Sequence, residues 1–131
     1  MRLRSHFVPL LCVLACAGCG KKSTGELVSD LKSPDGRNRI IAVRLLQHRK
    51  EDAAQAVPAL IEALKQGGDI RLSAAIGLGY FGEQAKDAIP ALQEALHDRD
   101  ARIREAAGVA LSRIDPEKFI SPYKTATRRR K

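Results

Sequence analysis

From Glu26 to Ile114 apolar residues recur every three or four positions, and no stretch alternates polar with apolar side chains. This spacing predicts helices and no strands. Ile103, Ala106, Ala107, Ala110, Leu111 and Ile114 form one buried face, and Ile70, Ala74, Leu78 and Phe81 form another. Asp69 and Asp100 stand just ahead of these runs, where a carboxylate can cap free backbone N–H groups. Gly82 and the pair Asp115-Pro116 are placed to stop them. Pro58 and Pro90 fall inside apolar periods, which predicts that each lies in the first turn of its helix.

The pattern is also copied. Ile70-Arg71-Leu72 with Ala74-Ala75-Ile76 returns 33 residues later as Ile103-Arg104-Glu105 with Ala107-Gly108-Val109. Val57-Pro58-Ala59-Leu60 returns after 32 residues as Ile89-Pro90-Ala91-Leu92. A period in this range marks a unit that cannot bury its apolar face alone and must stack on its neighbours. The expected fold is all-α, a short solenoid, and solenoids typically bind other molecules rather than transform them.

The copied residues carry a resemblance. Asp100, Ile103, Arg104, Ala107, Ala110 and Leu111, preceded by Ala85, Ala88, Ile89, Pro90, Ala91, Leu92, Ala95 and Leu96, resemble the HEAT family and its short phycobilisome-lyase-type repeats. The likeness runs from about Asp52 to Ile114 and extends weakly to 27–48, where bulkier residues replace Ala, as in a capping unit. It implies a right-handed α-solenoid of two to three helical hairpins, and it says little about function. No chromophore-handling residues accompany it, so lyase activity is not carried over.

In that family the second helix of each hairpin lines the concave side. Carried onto this chain at the 33-residue offset, three rows follow: Arg39, Leu72, Glu105; Val43, Ile76, Val109; and Gln47, Tyr80, Arg113. The middle row is apolar throughout, and Leu72, Ile76 and Tyr80 make one ridge at four-residue spacing. Such a ridge with a polar rim is a candidate protein-binding patch. The competing reading makes these residues ordinary core between repeats.

Ahead of the repeats, Arg2 and Arg4 precede an apolar run from Phe7 to Ala17, too short to span a bilayer and suited to a signal peptide. Cys16-Ala17-Gly18-Cys19 resembles a bacterial lipobox with Cys19 as the lipidated residue, although Cys16 stands where Leu is usual. Val13-Leu14-Ala15-Cys16 is the second candidate, and an ordinary secretory signal is the competitor. All three Cys lie in this segment, which leaves the repeats without disulfides or a thiol nucleophile. The expected divisions are a leader at 1–18, a tether at 19–25, repeats at 26–117 and a basic tail at 118–131.

The formal charge of +8 suggests nucleic acid until it is mapped. Between Gly25 and Glu117 there are 13 Lys and Arg against 15 Asp and Glu, so the excess lies in the ends. The tail cluster Arg128-Arg129-Arg130-Lys131 reads as a solvated terminus or as a contact for anionic lipid. Gly77-Leu78-Gly79-Tyr80-Phe81-Gly82 spells a dinucleotide fingerprint, but no strand precedes it. His6, His48 and His97 are scattered and make no metal site, and no catalytic triad or cofactor site can be argued.

The sequence therefore predicts a non-catalytic scaffold held at the bacterial cell envelope by lipid and binding a partner protein on its concave helix face. Nucleic-acid binding through the tail, aided by Arg39, Arg71 and Arg104, and an enzyme-associated, lyase-like subunit are the alternatives. Phe119, Ile120 and Tyr123 are expected to fold back over the last repeat.

Overall fold

A computed structural model of the chain describes residues 20–119. The leader at 1–18, Cys19, and Ile120 and Tyr123 with the rest of the tail lie outside the described residues. Six α-helices form three successive hairpins, and no strand is present among the described residues. The first hairpin is α1 (Thr24–Asp30) with α2 (Gly36–Leu46), and the second is α3 (Ala53–Leu64) with α4 (Gly68–Phe81). The third joins a 3-10 segment, Gly82–Ala88, to α5 (Ile89–Ala95) and then α6 (Ala101–Ile114). The second helices stack in order, so that α4 packs on both α2 and α6. This is the α-solenoid that the copied pattern predicts.

Local chemistry fixes each element. Ser23 accepts from the Glu26 amide while the Glu26 carboxylate accepts from the Ser23 amide at 2.6 Å, a reciprocal capping box. Asp35 accepts from the Arg37 amide and Asp100 from the Arg102 amide, each at 2.9 Å. The middle hairpin differs. Its cap is Gly67, Gly68 has φ +66°, and Asp69 lies inside the first turn of α4 without capping it. The expectation for Asp69 is thus corrected, because the Gly pair takes the place that an Asp holds in the other hairpins. Gly82, at φ +56°, ends α4, as expected.

Two further expectations are corrected. The tether at 19–25 is too long, because Ser23 and Thr24 already belong to the first hairpin. The Thr24 hydroxyl donates to Asp52, Lys22 pairs with Asp30 at 2.6 Å, and Arg49 holds the Lys22 carbonyl at 2.7 Å. Pro90 sits at the start of α5 as expected, whereas Pro58 lies inside α3. The segment equivalent to the first turns of α3 is 3-10 in the third hairpin, so only there does the Pro meet a helix start.

The core runs through all three hairpins and is built from Leu27, Val43, Leu46, Leu60, Leu64, Leu78, Leu92, Ile103, Leu111 and Ile114, all fully enclosed. Phe119 is half-buried against it, and its N–H donates to the Asp115 carbonyl at 3.0 Å. Small residues set the spacing of the second helices. A Cβ added at Gly79 would stand 3.1 Å from the Ala110 Cα and 3.3 Å from its Cβ, whereas one at Gly77 would meet Leu60 and Gln47 at an ordinary 3.6 Å. Gly79→Ala should therefore force α4 and α6 apart and cost about 1–3 kcal/mol in urea unfolding. Gly77→Ala should be neutral or stabilising by up to about 1 kcal/mol, the normal gain for Ala over Gly in a helix.

Candidate binding groove on the second-helix face

Three groups fix where the second helices lie relative to one another. Arg39 donates to the Ser33 and Pro34 carbonyls at 2.6 and 3.1 Å, and Arg104 donates to the Asp98 and Arg99 carbonyls at 2.8 and 3.0 Å. Each Arg reaches the residues six and five positions back, across its own hairpin turn. Arg71 does a related task, donating from Nε to the Leu64 carbonyl at 2.8 Å and from Nη1 to Asp98 at 2.5 Å. The three guanidiniums are thus hairpin clamps, and Arg71 also ties the second hairpin to the third.

These clamps, together with the caps Asp35, Gly67 and Asp100, show that the first hairpin is offset from the second by 32 residues and the second from the third by 33. The rows drawn at a uniform 33 are one residue out of register in α2. Arg39 aligns with Arg71 and Arg104, so it is a clamp and not part of a row with Leu72 and Glu105. Val43 aligns with Ala75 and is wholly buried, which corrects its assignment to the exposed apolar row. Gln47 aligns with Gly79 and is half-buried, its Cβ 3.6 Å from where a Cβ on Gly77 would stand. The surface rows are instead Ile40, Leu72, Glu105; Arg44, Ile76, Val109; and His48, Tyr80, Arg113. Side-chain contacts bear out the last of these: the His48 ring lies 6.2 Å from Tyr80, and the Arg113 guanidinium lies 5.5 Å over it.

The remaining six candidates converge. Leu72, Ile76 and Tyr80 of α4 and Glu105, Val109 and Arg113 of α6 line one groove of about 310 Å³. Its floor is Ala75, Gly79, Ala106 and Ala110, so the close helix approach leaves a shallow trough with an apolar ridge. Ile76 is 42% exposed and Tyr80 44%, and the two adjoin along one apolar groove rather than standing singly on the surface. Arg102 joins the rim and was not legible as a groove residue, because its reach depends on Asp69 and Asp100, which it meets at 3.4 and 2.8 Å. The rim is therefore charged and the trough apolar, the layout of a small protein-docking site.

Carboxylates near the rim are held ionised. The Asp100 amide and then Arg71 lower the pKa of Asp98, and the Arg102 side chain and amide do the same for Asp100. Among the described residues no group of three or more His, Cys, Asp or Glu could hold a metal ion, and no helix is long and apolar enough to cross a membrane. The glycine-rich 77–82 segment is the end of α4 and its stop, with no strand before it.

A family model describing HEAT repeats matches residues 68–123. An uncharacterized protein of Bacillus subtilis, SkfG, is 38% identical over 93 residues, which cover 70% of this chain and 54% of that protein. The chain thus spans about half the length of this curated relative. Because the folded-state pKa of Asp98 is depressed, its bonds from the Asp100 amide and from Arg71 contribute above about pH 4 and weaken as acid protonates the carboxylate. In thermal melts from pH 7 to pH 2, Asp98→Asn should melt below the wild type at pH 7 and converge with it in acid. The helical hairpins and their copied clamps accord with the matched segment, and residues 68–123 of this chain are HEAT repeats.

Proposed function

We infer that the chain is a non-catalytic interaction scaffold whose second-helix face captures a partner protein in the groove between α4 and α6. HEAT repeats commonly mediate protein–protein interaction, and the exposed Ile76–Tyr80 ridge above a small-residue floor is the observation that carries the reading here. Apolar side chains that are exposed at the centre of a charged rim contribute to binding only when a partner desolvates them. They offer no advantage to the isolated chain.

The lipobox-like sequence ending at Cys19 supports a second element of the proposal, a lipid tether to the bacterial cell envelope. Cys19 to Lys22 would then be a short connection, since the folded unit begins at Ser23. A tethered scaffold presents its groove close to the membrane and so favours partners that are themselves at that surface.

Ile76→Asp should lower partner capture from membrane extracts about tenfold or more while leaving helicity and the melting temperature almost unchanged. Val43→Asp, which buries a charge, should unfold the protein and serves as the contrast. A large loss of stability with Ile76→Asp would show that residue to be core and sink the groove reading. Cys19→Ala should move the protein from the membrane to the soluble fraction, and no change on fractionation would sink the lipid tether.

A further inference from the structure

The other two exposed large apolar side chains lie away from the groove. Ile41 is 53% exposed and Leu45 is 45% exposed, both on α2. In the corrected register Leu45 aligns with Gly77 and Ala110, and these face the preceding hairpin, Gly77 toward Gln47 and Ala110 toward Gly79. Ile41 and Leu45 therefore occupy the stacking position of the first hairpin, turned outward at the end of the solenoid. No helix among the described residues covers them.

The charge around them is one-sided. α2 holds Arg37, Arg39 and Arg44 and no Asp or Glu. Arg37, Ile41 and Leu45 follow at four-residue spacing, with the exposed Arg44 and His48 beside them on the same face. Over the first hairpin and its flanks, residues 20–50, eight Lys and Arg stand against three Asp and Glu. Over residues 51–119 eight stand against twelve, so the stack has a basic pole of about +5 and an acidic body of about −4. The near-neutral average over the repeats conceals this separation.

The chain toward residue 19 leaves from the same pole. Arg49, three residues past the end of α2, grips the Lys22 carbonyl, which places the start of the folded unit near the C-terminal end of that helix. The residues beyond it are the lipobox-like Cys19 and the apolar run of the leader.

We propose that the α2 end of the solenoid is a membrane-docking face: Ile41 and Leu45 enter the interface of an anionic bilayer while Arg37 and Arg44 pair with lipid phosphates. Aliphatic side chains inside a basic rim, free of carboxylates on their own helix, match such a surface in both polarity and charge. The proposal rests on the membrane tether inferred above and adds an orientation to it. A tether alone lets the domain tumble, whereas a seated α2 stands the stack on its basic pole, with the acidic hairpins directed away from the negative bilayer.

Site-specific photocrosslinking tests this on the full chain, with p-benzoylphenylalanine placed at position 41, at 45, or at exposed position 93 of α5 as the distant control. Each protein is reconstituted into vesicles of phosphatidylcholine, with or without phosphatidylglycerol, sedimented and irradiated. With phosphatidylglycerol present, lipid adducts at 41 and 45 should exceed those at 93 by about five-fold or more, and Arg37→Glu with Arg44→Glu should abolish the excess. Sedimentation with equal adducts at all three positions overturns the docking face and leaves the tether standing. Adducts that ignore phosphatidylglycerol and the charge reversal, or crosslinks from 41 or 45 to a second copy, also overturn it. Failure to sediment at all overturns tether and docking together.

Discussion

The contact between Gly79 and Ala110 governs the shape of the exposed face. At 3.1 Å from a prospective Cβ, the Ala110 backbone leaves no room for any side chain on α4 at that point. Helices that approach this closely cannot fill the space above the contact with their own side chains, so Ile76, Tyr80 and Val109 flank a trough instead of closing over it. The groove is thus a by-product of close packing. Its apolar ridge is held in place by a floor of Ala and Gly that has almost no conformational freedom of its own.

Two kinds of polar contact keep the hairpins in that arrangement. Arg39 and Arg104 bind carbonyls in their own turns, which fixes the angle at which each second helix leaves its loop. Arg71 and Asp98 join the second hairpin to the third, and Thr24 with Asp52 and Arg49 with Lys22 secure the first. None of these guanidiniums points into the groove, so the cations that a sequence reading would offer to a ligand are already engaged in shape. Arg113, over the Tyr80 ring, and Arg102, paired with Asp100 and Asp69, are the cations that stand at the rim itself.

Most of the architecture could be read from the chain because the Ala and Leu positions at Ala74, Leu78, Ala107 and Leu111 repeat in both period and residue type. The third and second hairpins therefore aligned correctly, and six of the nine groove candidates converge. The first hairpin reads one residue out of register, since Ile41, Val43 and Leu45 obscure the Ala spacing and a helix can absorb any register without changing its apolar period. The signal was nevertheless present in Asp35-Gly36-Arg37 with Arg39, Ala42 and Leu46, which matches Asp100-Ala101-Arg102 with Arg104, Ala107 and Leu111. Cap and clamp chemistry, not hydrophobicity, specifies register here. Pro58 and Asp69 were misplaced for a related reason: a 3-10 segment and a Gly pair shift where helices begin without altering which residues are buried.

Tyr80 touches a residue of the first hairpin on one side and of the third on the other, through His48 and Arg113. It is therefore the place where the curvature of the whole stack is felt by a single ring. If the outer hairpins close toward each other, the ring is pressed; if they splay, it loses both neighbours. The width of the trough and the bend of the solenoid therefore meet at this one ring, which lines the groove and has a neighbour from each adjoining hairpin on either side.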